Sequence, residues 1–173
     1  MDTDLLLQIA REIVSKVPTC LAITVDQDGH ANARVVQTSQ LSEDWTLHFM
    51  TDRRSRKIEE IERSGKMTLA YYQVTPENQY VTLVGRATVN DNIEVKNAIW
   101  KPGSLRWHPG GPNDPNVVLV DFVADRIELW SSKDNIVPDP LKGLWAAALT
   151  REPTGWRRHQ TSRRTPPTTK VPR

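Results

Sequence analysis

The stretch CLAITVDQDGHANARVVQTSQ, residues 20–40, limits the fold more than any other part of the chain. Two β-rich runs flank Asp28-Gly29, and glycine accepts the positive φ that a tight hairpin turn requires. The same rhythm continues downstream. WTLHFMT reads as a third strand and MTLAYYQV as a fourth. YVTLVGRATV follows the TPENQ turn as a fifth, with Gly85 marking a bulge or bend. VVLVDFVADRIELW supplies two more strands with a turn near Ala124-Asp125.

Helices are short and few. Leu5, Leu6, Ile9, Ile13 and Val17 recur at helical spacing, which predicts an amphipathic helix over 3–16 ended by Pro18. Residues 54–64 predict a second, NIEVKNAIW a third that carries Val95, Ala98 and Ile99, and PLKGLWAAAL a fourth. Between them KPGSLRWHPGGPNDPN, residues 101–116, is a long loop rich in Pro and Gly, and ordered loops of this length often carry function. Six or seven hairpin-connected strands with short flanking helices make a mostly β protein, a closed or half-closed antiparallel barrel. Strands do not alternate with long helices, so a parallel α/β sheet is disfavoured.

At 173 residues, 38% apolar and 25% charged, the chain suits one soluble domain with a proper core. Its single cysteine, Cys20, excludes an intrachain disulfide framework and a Cys-rich zinc site; set among apolar neighbours, it reads as a buried structural thiol. The start, MDTDLLLQIAREIV, lacks the features of a signal peptide, and no apolar run reaches membrane-spanning length. A cytoplasmic protein is expected. From 151 onward Arg151, Arg157, Arg158, Arg163, Arg164, Lys170 and Arg173 stand against Glu152 alone, leaving residues 1–150 mildly acidic. The expected organisation is a domain over 1–150 and a basic, disordered tail over 151–173.

Common catalytic signatures are absent: there is no G-x-G-x-x-G, no G-x-S-x-G and no complete P-loop. The four histidines (His30, His48, His108 and His159) show no metal-binding spacing, so no metal site is expected. TDRRSRKIEEIERSG, residues 51–65, is different. Arg53, Arg54, Arg56 and Lys57 crowd the start of a helix and Glu59, Glu60 and Glu62 follow, against the preference of a helix N-terminus for acids. Hydroxyls from Thr51 and Ser55, free N–H groups and cations around one point make an anion site; a solvated basic patch is the other reading. Arg34, inside the strand NARVVQTS, shares a face with Val36 and Thr38 and needs a partner or solvent there.

Together, ARVVQTS and LHFMTDRRSRK resemble the flavin-binding pattern of the pyridoxamine 5′-phosphate oxidase family, whose members share the FMN-binding split β-barrel. YVTLVGRATV, IWKPGSLRWHPGGPNDPNVVLVDF and IELW are similar to its general stress protein 26 branch, and the resemblance covers about residues 5–131. It implies that Arg34 and Lys57 contact the FMN phosphate, with Ser55 and Arg56 at the helix start. It implies that Val35, Val36, Met50 and Thr51 line the isoalloxazine and ribityl chain. In this branch the 101–116 loop nears the flavin across a subunit interface, so Trp107 and Arg106 shape the pocket or, alternatively, Trp100 and Trp107 serve as packing anchors. A homodimer with the flavin between subunits is implied, with a small-molecule substrate or NAD(P)H as reaction partner.

Arg53 and Arg54 match no family position and read as solvated charges. Tyr80 stands where true pyridoxamine phosphate oxidases carry glutamine, and WRRH, with Arg158 and His159, sits in tail-like surroundings, so that substrate site is not carried over. Three functions remain open. The first is an FMN-dependent oxidoreductase of unknown substrate, and the second a non-catalytic flavin-binding stress or sensor protein. The third, least favoured, is nucleic-acid binding through the basic tail. Haem use lacks a placed axial ligand, and a deazaflavin remains an alternative to FMN.

Overall fold

The computed structural model describes residues 1–74, 76, 78–137 and 147–158. Helix α1 (Thr3–Lys16) comes first, its N-terminus capped by the Asp2 carboxylate, which accepts from the Leu5 N–H. Strands β1 (Cys20–Val25) and β2 (Ala31–Val36) follow as an antiparallel pair around Gly29, at φ 85°. The Asp26 carboxylate shapes that turn by accepting from the N–H groups of Asp28 and His30. Next are β3 (Thr46–Asp52), helix α2 (Arg56–Ser64), β4 (Lys66–Gln73) and β5 (Gln79–Asn90). Helix α3 (Ile93–Ile99), a 3-10 turn over Pro102–Arg106, and strands β6 (Val117–Ser131), β7 (Ala147–Glu152) and β8 (Gly155–Arg158) complete the body.

All strand pairs are antiparallel, in the order β2-β1-β4-β5-β6-β7-β8. The 15-residue β6 is the trunk of the sheet. One edge pairs with β5 throughout; the other pairs first with β3, Asp52 opposite Val117 to Thr46 opposite Val123, and then with β7. The sheet therefore divides along β6, which gives the antiparallel split-barrel form. The turn expected at Ala124-Asp125 is instead a bulge within one continuous strand: Val84 pairs with Arg126 and Gly85 with Ala124, leaving Asp125 as the extra residue. Gly85 fits there because a Cβ would lie 2.0 Å from the Val123 carbonyl oxygen.

Helix α1 lays Leu6, Ile9, Ala10, Ile13 and Val14 on the inner face of the sheet, against a core that includes Leu47, Phe49, Leu69, Leu83, Phe122 and Leu129. Cys20 lies in the same core, where burial pushes its thiol up to about 11, as expected of a structural cysteine. Helix α3 departs from expectation. It buries Lys96, whose ammonium donates to the Val117 carbonyl at 2.9 Å, and leaves Ile93 and Ala98 exposed.

The C-terminal end differs more. Ala147–Leu149, expected in a helix, form a strand on β6, while 140–146 lie outside the described residues. The sheet continues through Arg158, eight residues past the boundary placed at 150. Trp156 meets Trp45 edge-on at 5.5 Å, and the Arg11 guanidinium lies 4.3 Å over Trp45, which fastens this hairpin to the body. The first tail cations are engaged within it: Arg151 donates to the Asp44 carbonyl and Arg157 pairs with Glu152 at 2.5 Å. Residues 159–173 lie outside the described residues. Among the described residues no helix is long and apolar enough to cross a membrane.

Candidate functional site

The end of β3 delivers Thr51 and Asp52 to the turn that opens α2. Ser55 is the N-cap residue, but its hydroxyl makes no cap hydrogen bond, whereas Asp2 and Asn92 cap α1 and α3 with their side chains. An uncapped first turn leaves N–H groups and the positive end of the helix dipole for another acceptor. Lys57, 8% exposed, donates from Nζ to Thr51 Oγ1 at 2.6 Å and to Ser55 Oγ at 2.9 Å. Burial and then the charge of Arg34 press the Lys57 pKa below its ordinary value, against the opposing pull of Asp52 and Glu60.

Arg34 enters from β2 on the face that also carries Asn32 and Val36. Its guanidinium donates to Thr24 Oγ1 at 2.5 Å, to the Asn32 carbonyl at 2.9 Å and to Glu60 Oε2 at 3.1 Å. Glu60, 2% exposed, is the hub: it also accepts from the Thr24 hydroxyl and from Asn32 Nδ2 at 2.9 Å, and its Oε1 forms an ion pair with Arg56 Nε at 3.2 Å. Arg56 in turn donates to Asn32 Oδ1 at 3.0 Å. Burial alone would raise the Glu60 pKa. Hydrogen bonds from Thr24 and Arg34, with the charges of Arg34 and Arg56, outweigh that and hold it below the ordinary range. Arg34 and Arg56 thus share one buried carboxylate while Lys57 reaches only hydroxyls; with Asp52 matched by Arg54, the three cations outnumber Glu60 by two beside the open end of a helix.

The other two cations of the segment go elsewhere. Arg53 pairs with Asp91 at 2.5 Å and donates to the Asn116 and Pro115 carbonyls, tying the end of the 101–116 loop to β3. Arg54 folds back on Asp52 at 2.6 Å and holds that carboxyl at about 2. They are paired rather than merely solvated.

Of the residues singled out from the sequence, the structure places Arg34 and Arg56 in one network on Glu60 and Asn32, and Lys57, Thr51 and Ser55 in a second that feels the charge of the first. Val36 lies on the Arg34 face, packed against the core, while Val35 is on the opposite face and 68% exposed. Met50 faces away from Thr51, into a cleft of about 470 Å³. Trp107 stands outside the cluster, 74% exposed under the Arg106 guanidinium, which is not the environment of a packing anchor. His108 of the same loop is near enough to feel the charges of Asp52 and Lys57. Burial lowers the His108 pKa, Asp52 and Asp114 oppose, and Lys57 adds to the lowering. Sequence reasoning missed Glu60, Thr24, Asn32 and His108; the Arg56-to-Glu60 spacing of one helical turn was a readable signal for the first.

A model of the family described as "Pyridoxamine 5′-phosphate oxidase like" matches residues 7–153. The chain is 30% identical over 89 residues to general stress protein 26 of Bacillus subtilis, a match covering 50% of this chain and 63% of that relative. The structure of general stress protein 26 from Bacillus anthracis superposes with a TM-score of 0.63 at 27% identity, over 72% of this chain and 92% of that one. A pyridoxamine 5′-phosphate oxidase-related, FMN binding protein from Nostoc punctiforme shares the fold, with a TM-score of 0.67 at 14% identity over 93% and 96% of the two chains. Motif order, split sheet and family match agree: the chain belongs to the pyridoxamine 5′-phosphate oxidase like family, with general stress protein 26 among its relatives.

Proposed function

We propose that this chain is a cytoplasmic, homodimeric flavoprotein that binds FMN and serves as an oxidoreductase for a small molecule or NAD(P)H. The observation that carries the reading is the charge balance around α2. Arg34 and Arg56 contact the buried Glu60 carboxylate, Lys57 contacts only hydroxyls, and Asp52 is matched by Arg54, so the residual charge of two matches a phosphate dianion. The donor set fits the group: a guanidinium fork from Arg34, a second from Arg56, the Lys57 ammonium, the Ser55 hydroxyl and the uncapped N–H groups of the first turn. A bound flavin would supply the redox chemistry, and the chain would hold its phosphate and orient its ring beside Val36 and the main chain of Met50. The family and the FMN-binding Nostoc relative support this assignment.

The homodimer is supported by the outer face of β2, β1 and β4. Val35 pairs with Leu21 and Leu21 with Ala70, and Val25 and Tyr72 extend the same exposed apolar surface. A contiguous apolar face of this kind is typical of a protein interface.

Purified protein is expected to show a flavin spectrum, to release a chromophore with the mass of FMN rather than of a deazaflavin, and to elute as two chains by light scattering. A colourless chain that takes up no added FMN would falsify the cofactor assignment. Anaerobic mixing of the loaded protein with NADPH and NADH tests turnover; without reduction by either, the non-catalytic stress or sensor reading replaces the oxidoreductase one.

A further inference from the structure

A second polar constellation lies outside the phosphate cluster. His48 and Asp121 are direct partners in the β3–β6 ladder, with Nδ1 2.7 Å from Oδ1 and each side chain 30% exposed. The second carboxylate oxygen of Asp121 accepts from the Asn90 amide on β5. The main chain of His48 is fixed as well: its N–H donates to Ser39 Oγ at 2.9 Å, and its carbonyl accepts from the Ser39 N–H at 2.7 Å. The ring lines the cleft of about 470 Å³ that Met50 also lines, with Gln37, Thr38, Trp100 and Lys101 around it. This volume lies in the range of small-molecule sites, and the walls combine apolar Met50, Ala98, Ile99 and Trp100 with more numerous polar residues.

A carboxylate against Nδ1 keeps the proton on that nitrogen, so in the neutral ring Nε2 is the acceptor. An exposed cross-strand His–Asp pair by itself adds little to stability. Here Asn90 and Ser39 fix the pair from both sides, and its free edge lies on a cleft.

We infer that His48 is a ligand-contacting residue whose Nε2 accepts a hydrogen bond from a hydroxyl or amine group on a small molecule with an apolar body. That body lies against Met50 and Trp100. Asp121 and Asn90 are positioning residues that set which ring nitrogen is the acceptor. The inference deepens the flavin reading, because Met50 is a wall common to both and puts the ligand beside the flavin ring.

The test uses the full chain with ¹⁵N-labelled histidine and benzyl alcohol as probe, toluene being its control without the hydroxyl. Benzyl alcohol is expected to shift the His48 Nε2 signal and to bind about fivefold more tightly than toluene, the scale of one net hydrogen bond. His48→Phe should erase that preference while unfolding stays cooperative. Asp121→Asn should reverse it: the new amide donates to Nδ1, moves the ring proton to Nε2, and makes benzaldehyde bind better than benzyl alcohol. Equal binding of alcohol and toluene to the native chain, or a preference that survives in His48→Phe, overturns the inference. So does displacement of benzyl alcohol by FMN, since the cleft would then be the flavin's own seat. An alcohol preference in a chain that takes up no FMN supports this inference while defeating the flavin reading.

Discussion

Arg53 and Arg54 on one side of Ser55, and Arg56 and Lys57 on the other, are neighbours with the same charge and opposite fates. The first two find acids, Asp91 and Asp52, and serve the local architecture. Of the second two, Arg56 lies at the surface and shares the Glu60 carboxylate with Arg34, while buried Lys57 meets only hydroxyls, so positive charge is left uncompensated. The difference shows that a basic run is not one object. What each cation does depends on whether an acid stands opposite it, and the shortfall of acids falls on the side proposed to hold the phosphate.

Substitutions should separate the two halves. Lys57→Glu is expected to cost on the order of 3–5 kcal/mol of FMN affinity, the scale for breaking a buried charge arrangement. Flavin fluorescence titration measures this, and unchanged affinity would return the whole run to surface decoration. Glu60→Ala should destabilise the fold by about 3 kcal/mol in urea titration, because it leaves Arg34 without its buried partner. Glu60→Gln should be milder, since the amide oxygen still accepts.

The pH dependence follows from the depressed Glu60 pKa. Its contribution is fully present above the ordinary glutamate pKa of 4.5 and is lost as pH falls through the lower folded value. Glu60→Gln should flatten the stability curve in that acid window and leave the neutral region unchanged in slope. Arg53→Ala should lose about 0.2–1 kcal/mol and quicken amide exchange in Arg53 and its loop partners, with little effect on flavin affinity. Arg54→Ala should be the mildest, seen in an NMR titration as the Asp52 carboxyl rising from about 2 towards 3.8.

The hairpin at Asp28-Gly29, helix α1, a helix starting near Ser55 and the face shared by Arg34 and Val36 were legible in the sequence because each depends on near neighbours. The bulge opposite Gly85 was readable, but its other half at Ala124-Asp125 looked like a turn: locally, an extra residue in a strand and a turn residue look alike. Ala147–Leu149 are good helix formers drawn into a strand by pairing with Ile127–Leu129, a tertiary override of propensity. Glu60 was hidden among Glu59 and Glu62, because its burial depends on Arg34 from a distant strand. Lys96 is similar, buried by a carbonyl of β6 that no helical periodicity announces.

The long trunk strand also sets an order of assembly. Among the described strands β3 is paired only with β6, so residues 46–52 have no ladder partner until residues 117–123 have been synthesised. On the ribosome the β1–β2 hairpin can close early and β4 and β5 can join it, while β3 must wait some seventy residues for its ladder partner. The nascent chain therefore carries an unpaired, apolar strand edge through much of its synthesis, and the emergence of β6 ends that exposure before β7 and β8 extend the sheet.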